Sequence, residues 1–312
     1  MKKLIKMKDL TLEELIRQSY SCLNLTFELA DMKNNIIDSD DAVKQVFMMK
    51  EPSFKIRWKS LQQPIISEKH KIIKNALVAM IGISKYVDNT KWPNIPNVKK
   101  KDVKNFKKLF EQELNYEFVC NQPQQMTKKD IQSFLARLIS NYELHNNTHK
   151  YDGLIMIICG HGENGNMLVT SDGKSLSIDE IRESFNCDKM ESFKDFPKIF
   201  IIDMCRGKNT PTAHMTTTMR GKKEDMQSLG HNDDGFLMIW STTQGHQIGD
   251  FSLLSNCMKS VVMSKYKSGY PFKQMLNDVR QEIRRSKNGE WYCVETQDTT
   301  SYDMVFVARK TL

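Results

Sequence analysis

From Asn75 onward, short, mainly apolar runs alternate with stretches of helical periodicity, and this pattern constrains the fold more than any other feature of the chain. The runs are Ala76–Gly82, 153–160, 198–204 and 235–240. A strand wetted on one side alternates apolar and polar residues, whereas a strand apolar throughout is covered on both faces. Between the runs, Val103, Phe106, Leu109, Phe110 and Leu114 mark one side of a helix. Ile131, Leu135, Leu138 and Ile139 mark one side of the next, with Thr127 placed to cap it. Helices at about 252–267 and 271–286 lead to a last strand at 303–308. Strand and helix in alternation predict an α/β domain with a mostly parallel sheet flanked by helices.

The first 70 residues read differently. Residues 10–16 form an amphipathic stretch, followed by strand-like pieces at 25–29 and Phe54–Trp58, the latter alternating Phe54, Ile56 and Trp58. The helix-then-strands order resembles a ubiquitin-like β-grasp module and offers a surface for a protein partner. Pro64 and the polar run 67–74 read as a linker, so the expected division is a module at 1–70 and a larger domain at 75–312. Residues 207–234, with three glycines and no apolar periodicity, read as a long loop.

Several function classes drop out on composition. No apolar run approaches the ~20 residues a membrane helix needs. The start of the chain lacks the apolar centre of a secretory signal, and the seven cysteines form no CxxC pair or metal-ligand cluster. These features predict reduced thiols in the cytoplasm, no membrane association, and no metal or organic cofactor. The formal charge is +8, but the basic residues lie along helices that also carry acids, as in Lys99-Lys100-Lys101-Asp102. They read as solvated faces, and nucleic acid is not an expected partner.

Two of the apolar runs end in polar signatures: Cys159-Gly160-His161-Gly162 and Asp203-Met204-Cys205-Arg206-Gly207. Open α/β sheets bind ligands beyond the carboxyl ends of their strands, where both signatures fall. A free thiol has a pKa near ~8.5 and needs a base to take its proton, and an imidazole supplies one. Cys205 is therefore the candidate nucleophile and His161 its partner. The N–H groups of Gly162 and Cys205 are candidate donors to an oxyanion. Cys159, inside an apolar run, reads as core.

These two segments resemble the His and nucleophile motifs of caspase-like cysteine peptidases, in the same order and 44 residues apart. The resemblance runs from about Asn75 to the C-terminus and includes Ser241-Thr242-Thr243-Gln244-Gly245. It implies a caspase–hemoglobinase fold with a six-stranded sheet whose last strand is antiparallel. It divides the domain into a large-subunit part (75–207), a linker loop (208–234) and a small-subunit part (235–312), and it implies protein or peptide substrates and allows a homodimer. Caspases carry Gln two residues before the nucleophile, whereas Asp203 stands here, as in paracaspases and metacaspases, which cleave after Arg or Lys. By the same resemblance Asp102 matches a second pocket acid, and a third would align near Gln247, which is uncharged. No Arg occurs between Ser84 and Asp102 to hold an aspartate side chain, as caspases require. The expected activity is thus endopeptidase cleavage after basic residues, with Asp102, Asp203 and Gln247 as candidate substrate contacts. A catalytically silent scaffold and an Asp-selective caspase are the alternatives. The linker loop holds Arg220, Lys222 and Lys223, where such an enzyme could cut itself.

Overall fold

A computed structural model describes residues 27–32, 36–37, 39–49, 52–58, 70–147, 150–209 and 235–310. They fall into two compact units, one up to Ile65 and one from Ile66. The amphipathic stretch at 10–16 and the processing sites at 220–223 lie outside the described residues.

In the first unit, strand β1 (Phe27–Asp31) pairs antiparallel with β2 (Phe54–Trp58). Helix α1 (Asp40–Phe47) lies between them in sequence, and the Ser39 side chain accepts from the Ala42 N–H to cap it.

The second unit begins with β3 (His70–Ile73) and β4 (Ala76–Gly82). Helix α2 follows as three continuous segments, π-wound Val98–Asp102 and Lys107–Glu113 around α-helical Val103–Phe106. Then come β5 (Glu117–Cys120), α3 (Lys128–Asn141), β6 (Gly153–Cys159) and a small antiparallel sheet of β7 (Gly162–Glu163), β8 (Met167–Val169) and β9 (Ser175–Ser177). Helix α4 (Ile178–Glu183), β10 (Lys198–Asp203), β11 (Gly207–Asn209), β12 (Phe236–Trp240) and β13 (Gly245–His246) lead to α5 (Leu253–Lys265) and α6 (Phe272–Arg285). The chain closes with β14 (Glu295–Asp298) and β15 (Asp303–Phe306).

The central sheet has six strands in the order β14-β12-β10-β6-β4-β5, parallel except for β14, which runs antiparallel to β12. The continuous apolar runs have the predicted cause. Val78, Met80, Ile155, Ile157, Ile199 and Ile201 face one core, with residues of α2, α5 and α6. Leu77, Ala79, Leu154, Met156, Phe200 and Ile202 face the other, with residues of α3 and α4. Thr127 caps α3 through a reciprocal box with Asp130.

Two expectations need correction. The strand near 303 is not part of the central sheet: β15 pairs in parallel with β3, inside the stretch expected to be linker. The Tyr116 hydroxyl sits between the Ile73 and Val307 carbonyls at 2.6 and 3.0 Å, fastening the ends of these strands. The antiparallel sixth strand is instead β14, Glu295-Thr296-Gln297-Asp298, which carries no apolar residue to announce it.

Candidate active site

Strands β6 and β10 are parallel neighbours in which Cys159 is the register partner of Asp203. His161 and Cys205 each stand two residues past that pair, on strands whose spacing is ~4.8 Å. Both line one open cleft of about 380 Å³ at the carboxyl end of the sheet. Asp102, Asp203, Asp250, Ser252 and Tyr292 line it too. Gln247 is half-buried in the segment before Ile248 and is not among the lining residues.

The imidazole is tightly held. His161 Nε2 lies 2.6 Å from the Pro93 carbonyl, which can only accept, so Nε2 carries the hydrogen in the neutral ring and Nδ1 keeps the free lone pair. The Tyr86 and Trp92 rings pack against it with centroids 4.7 and 5.5 Å away. The Tyr86 hydroxyl accepts from the His161 N–H at 2.8 Å. Asn94 Oδ1 accepts from the Tyr86 N–H, and Asp88 Oδ1 from the N–H groups of Thr90 and Lys91, fixing the loop that delivers Pro93. Burial lowers the His161 pKa, with the Pro93 hydrogen bond and the Asp250 charge opposing.

Cys205 is half-buried, and its thiol pKa is raised, mainly by burial. The Ile248 N–H donates to Sγ at 3.4 Å, and the thiol faces the Ile248 carbonyl at 3.7 Å. Thiol and imidazole are thus both neutral near pH 7, which suits proton transfer during attack better than a resting ion pair.

Gly162 is required by space. A Cβ there would stand 2.1 Å from the Cys205 carbonyl oxygen, an impossible contact. Its backbone is also suitably presented. Gly162 opposes Leu168, and the Val169 N–H donates to the His161 carbonyl at 2.9 Å. That makes Gly162–Leu168 a non-hydrogen-bonded pair of the antiparallel ladder, with the Gly162 N–H turned away from β8.

Arg206 points the other way and locks the loop that carries Cys205. It is 2% exposed, with Nε donating to Asn166 Oδ1 (2.9 Å) and Nη1 to Glu295 Oε2 (2.8 Å) and the Thr242 carbonyl (3.2 Å). Its guanidinium lies 4.1 Å from the Trp240 ring centroid.

The acids form the most unusual electrostatic feature of the cleft. Asp203 is buried and its Oδ1 has no hydrogen-bond partner. Burial, reinforced by the Asp102 charge, pushes its carboxyl up to about 8. Burial likewise holds Asp102 at about 6, although the Ser255 hydroxyl donates to Oδ1 at 2.5 Å. Asp250 is also raised, by burial first. Its Oδ2 accepts from the Asn97 N–H (3.1 Å), while the Asn97 amide donates to its carbonyl (2.6 Å). No Lys or Arg is among the residues lining the cleft. The sequence pointed to Gln247 for the third acid position; Asp250, three residues on, is the acid that lines the cleft. No sequence motif singles out Asp250; its place follows from the cleft it lines and its bonds to Asn97.

Comparison with known proteins agrees with this architecture. The chain resembles caspase-1 from Spodoptera frugiperda in its crystal structure, with a TM-score of 0.61 at 15% identity over 76% of this chain and 91% of that one. No curated protein matches the sequence. A family model of the caspase domain matches residues 75–303, and the chain accordingly belongs to the caspase-domain family of peptidases.

Proposed function

We propose that the protein is a cysteine endopeptidase that cleaves after Arg, and less efficiently after Lys, through Cys205 and His161. In this mechanism Nδ1 of His161 takes the thiol proton as Sγ attacks the scissile carbonyl. The oxyanion is received by the N–H groups of Gly162 and Cys205. The proton passes to the leaving amine as the thioester forms, and water then releases the acyl group with the imidazole as base. The Pro93 carbonyl steadies the imidazolium formed in between.

One observation carries the specificity: three carboxylates converge in a cleft without a cation, beside the nucleophile. Their raised pKa values mean that all three are held against desolvation, and Asp102 and Asp203 also against repulsion from neighbouring acids; an entering guanidinium relieves both. Arginine has the advantage over lysine because its planar fork can serve several acceptors at once, including the unpartnered Asp203 Oδ1. An aspartate side chain would bring a fourth carboxyl into a cleft whose burial already opposes ionising the three present, which disfavours the Asp-selective alternative. Gln247 is left with no assigned contact, and Asp250 takes its place in the proposal. Among the described residues β14 is an edge strand of the central sheet, and its outer edge gives a second copy of the chain a place to extend the sheet.

The test is a set of fluorogenic peptides differing only at the residue before the cut. Turnover in the order Arg, Lys, with Asp undetectable, is expected; faster cleavage after Asp would refute the pocket assignment.

A further inference from the structure

Helix α2 turns two different faces to its surroundings. Val98, Asp102, Phe106, Leu109 and Phe110 are buried, while Lys99, Lys100, Lys101, Lys104, Lys107 and Lys108 are all exposed. Sequence alone balanced these lysines against the neighbouring Asp102. The fold removes that balance by turning Asp102 inward to the cleft. Lys107 pairs with Glu111 at 3.3 Å, and among the described residues the other five lysines make no ion pair. Lys100, Lys104 and Lys108 form a row of like charges at four-residue spacing, an arrangement that costs an isolated helix stability. Lys259 of α5 adds a further cation beside the face, with Nζ bonded only to the neutral amides of Asn105 and Asn256 (2.7 and 3.0 Å). The patch begins at the rim of the cleft: Val98 and Asp102 of the same helix line it, and Lys99 and Lys101 are their immediate exposed neighbours in the chain.

We propose that the lysine face of α2 is an exosite that binds an acidic segment of the polypeptide whose basic residue enters the cleft. This rests on the cleft reading above. The face has only lysines, without an arginine fork or an exposed aromatic ring, so it lacks the devices that read or stack bases. It is contiguous with the cleft, so a chain seated there can continue over it. The row from Lys100 to Lys108 spans about 12 Å, the length of roughly four extended residues.

Binding by the Cys205→Ala protein, followed by fluorescence anisotropy, tests this without turnover. The probes are labelled peptides with one Arg and, on either side of it, a tract of glutamates or of glutamines. The glutamate peptide is expected to bind about tenfold more tightly at low salt, an advantage that fades above about 0.5 M salt. In a Lys100→Gln/Lys104→Gln/Lys108→Gln variant the advantage is lost while glutamine-peptide affinity stays unchanged. A peptide with the glutamate tract and no Arg is expected to bind the same face. It keeps failure of the exosite distinguishable from failure of the peptidase reading. Equal affinity of the two Arg peptides, or a preference that survives the triple substitution, would overturn the proposal. So would a single-stranded oligonucleotide of equal charge that displaces the glutamate peptide with higher affinity.

Discussion

Replacing Asp203 with Asn isolates the charge that the proposed pocket would offer a basic substrate side chain. The side chain ends β10, two residues before Cys205, and is 7% exposed with an unpartnered Oδ1. Asn keeps its shape and one acceptor oxygen but removes the charge. Removing one partner of a buried ion pair costs about 3–5 kcal/mol. The retained acceptor places this change at the low end, about 3 kcal/mol, or a ~10²-fold loss of kcat/KM for a P1-Arg peptide. Stability moves the opposite way. The folded carboxyl titrates at about 8, against 3.8 for the ordinary side chain. The folded protein therefore holds a proton that the unfolded chain releases, and wild-type stability falls as pH rises from 3.8 through about 8. The variant is spared this loss, so its Tm advantage should grow across that window and level off above it. Activity should respond in the same range: wild-type kcat/KM for P1-Arg rises with pH as Asp203 ionises, and the variant lacks that limb. Unchanged P1-Arg kinetics, or a Tm difference independent of pH, would refute the reasoning.

Gly162→Ala should lower kcat/KM at least ~10²-fold, because the backbone must shift to relieve a 2.1 Å overlap with the Cys205 carbonyl oxygen. Single-turnover kinetics beside circular dichroism would separate lost catalysis from lost fold. Arg206→Leu should cost about 3 kcal/mol of stability, measured by urea unfolding, since Glu295 loses its partner and Asn166 and the Thr242 carbonyl lose donors. Arg206→Lys should recover little, because an ammonium cannot stack on Trp240 and serve three acceptors from one plane. Intact mass after prolonged incubation should show cleavage near Arg220 or Lys222–Lys223 in wild type and none in Cys205→Ala; identical masses would exclude self-processing.

The parts of this molecule legible in its sequence are those where local chemistry and tertiary environment agree. Strands β4, β6, β10 and β12 are covered on both faces, so their residue types announce them. The motifs around His161 and Cys205 were readable because parallel register puts both at one rim. Strand β14 was hidden, because its polar residues pair with the backbone of β12 and need no apolar face. Strand β5 is four residues at a sheet edge, too short for a periodic signal. Asp250 was missed because its place in the cleft is fixed by Asn97, 153 residues away, and the lysine face because the burial of Asp102 breaks a charge balance that looks complete in one dimension.

Covalent capture of the nucleophile tests the central claim most directly. A peptidyl acyloxymethyl ketone with Arg at P1 should alkylate wild-type protein once, at Cys205 by peptide mapping. Its P1-Asp counterpart should leave the thiol unmodified, and Cys205→Ala should take up neither. Labelling at another cysteine, or faster capture by the P1-Asp reagent, would contradict an acid-lined cleft serving a Cys205–His161 pair.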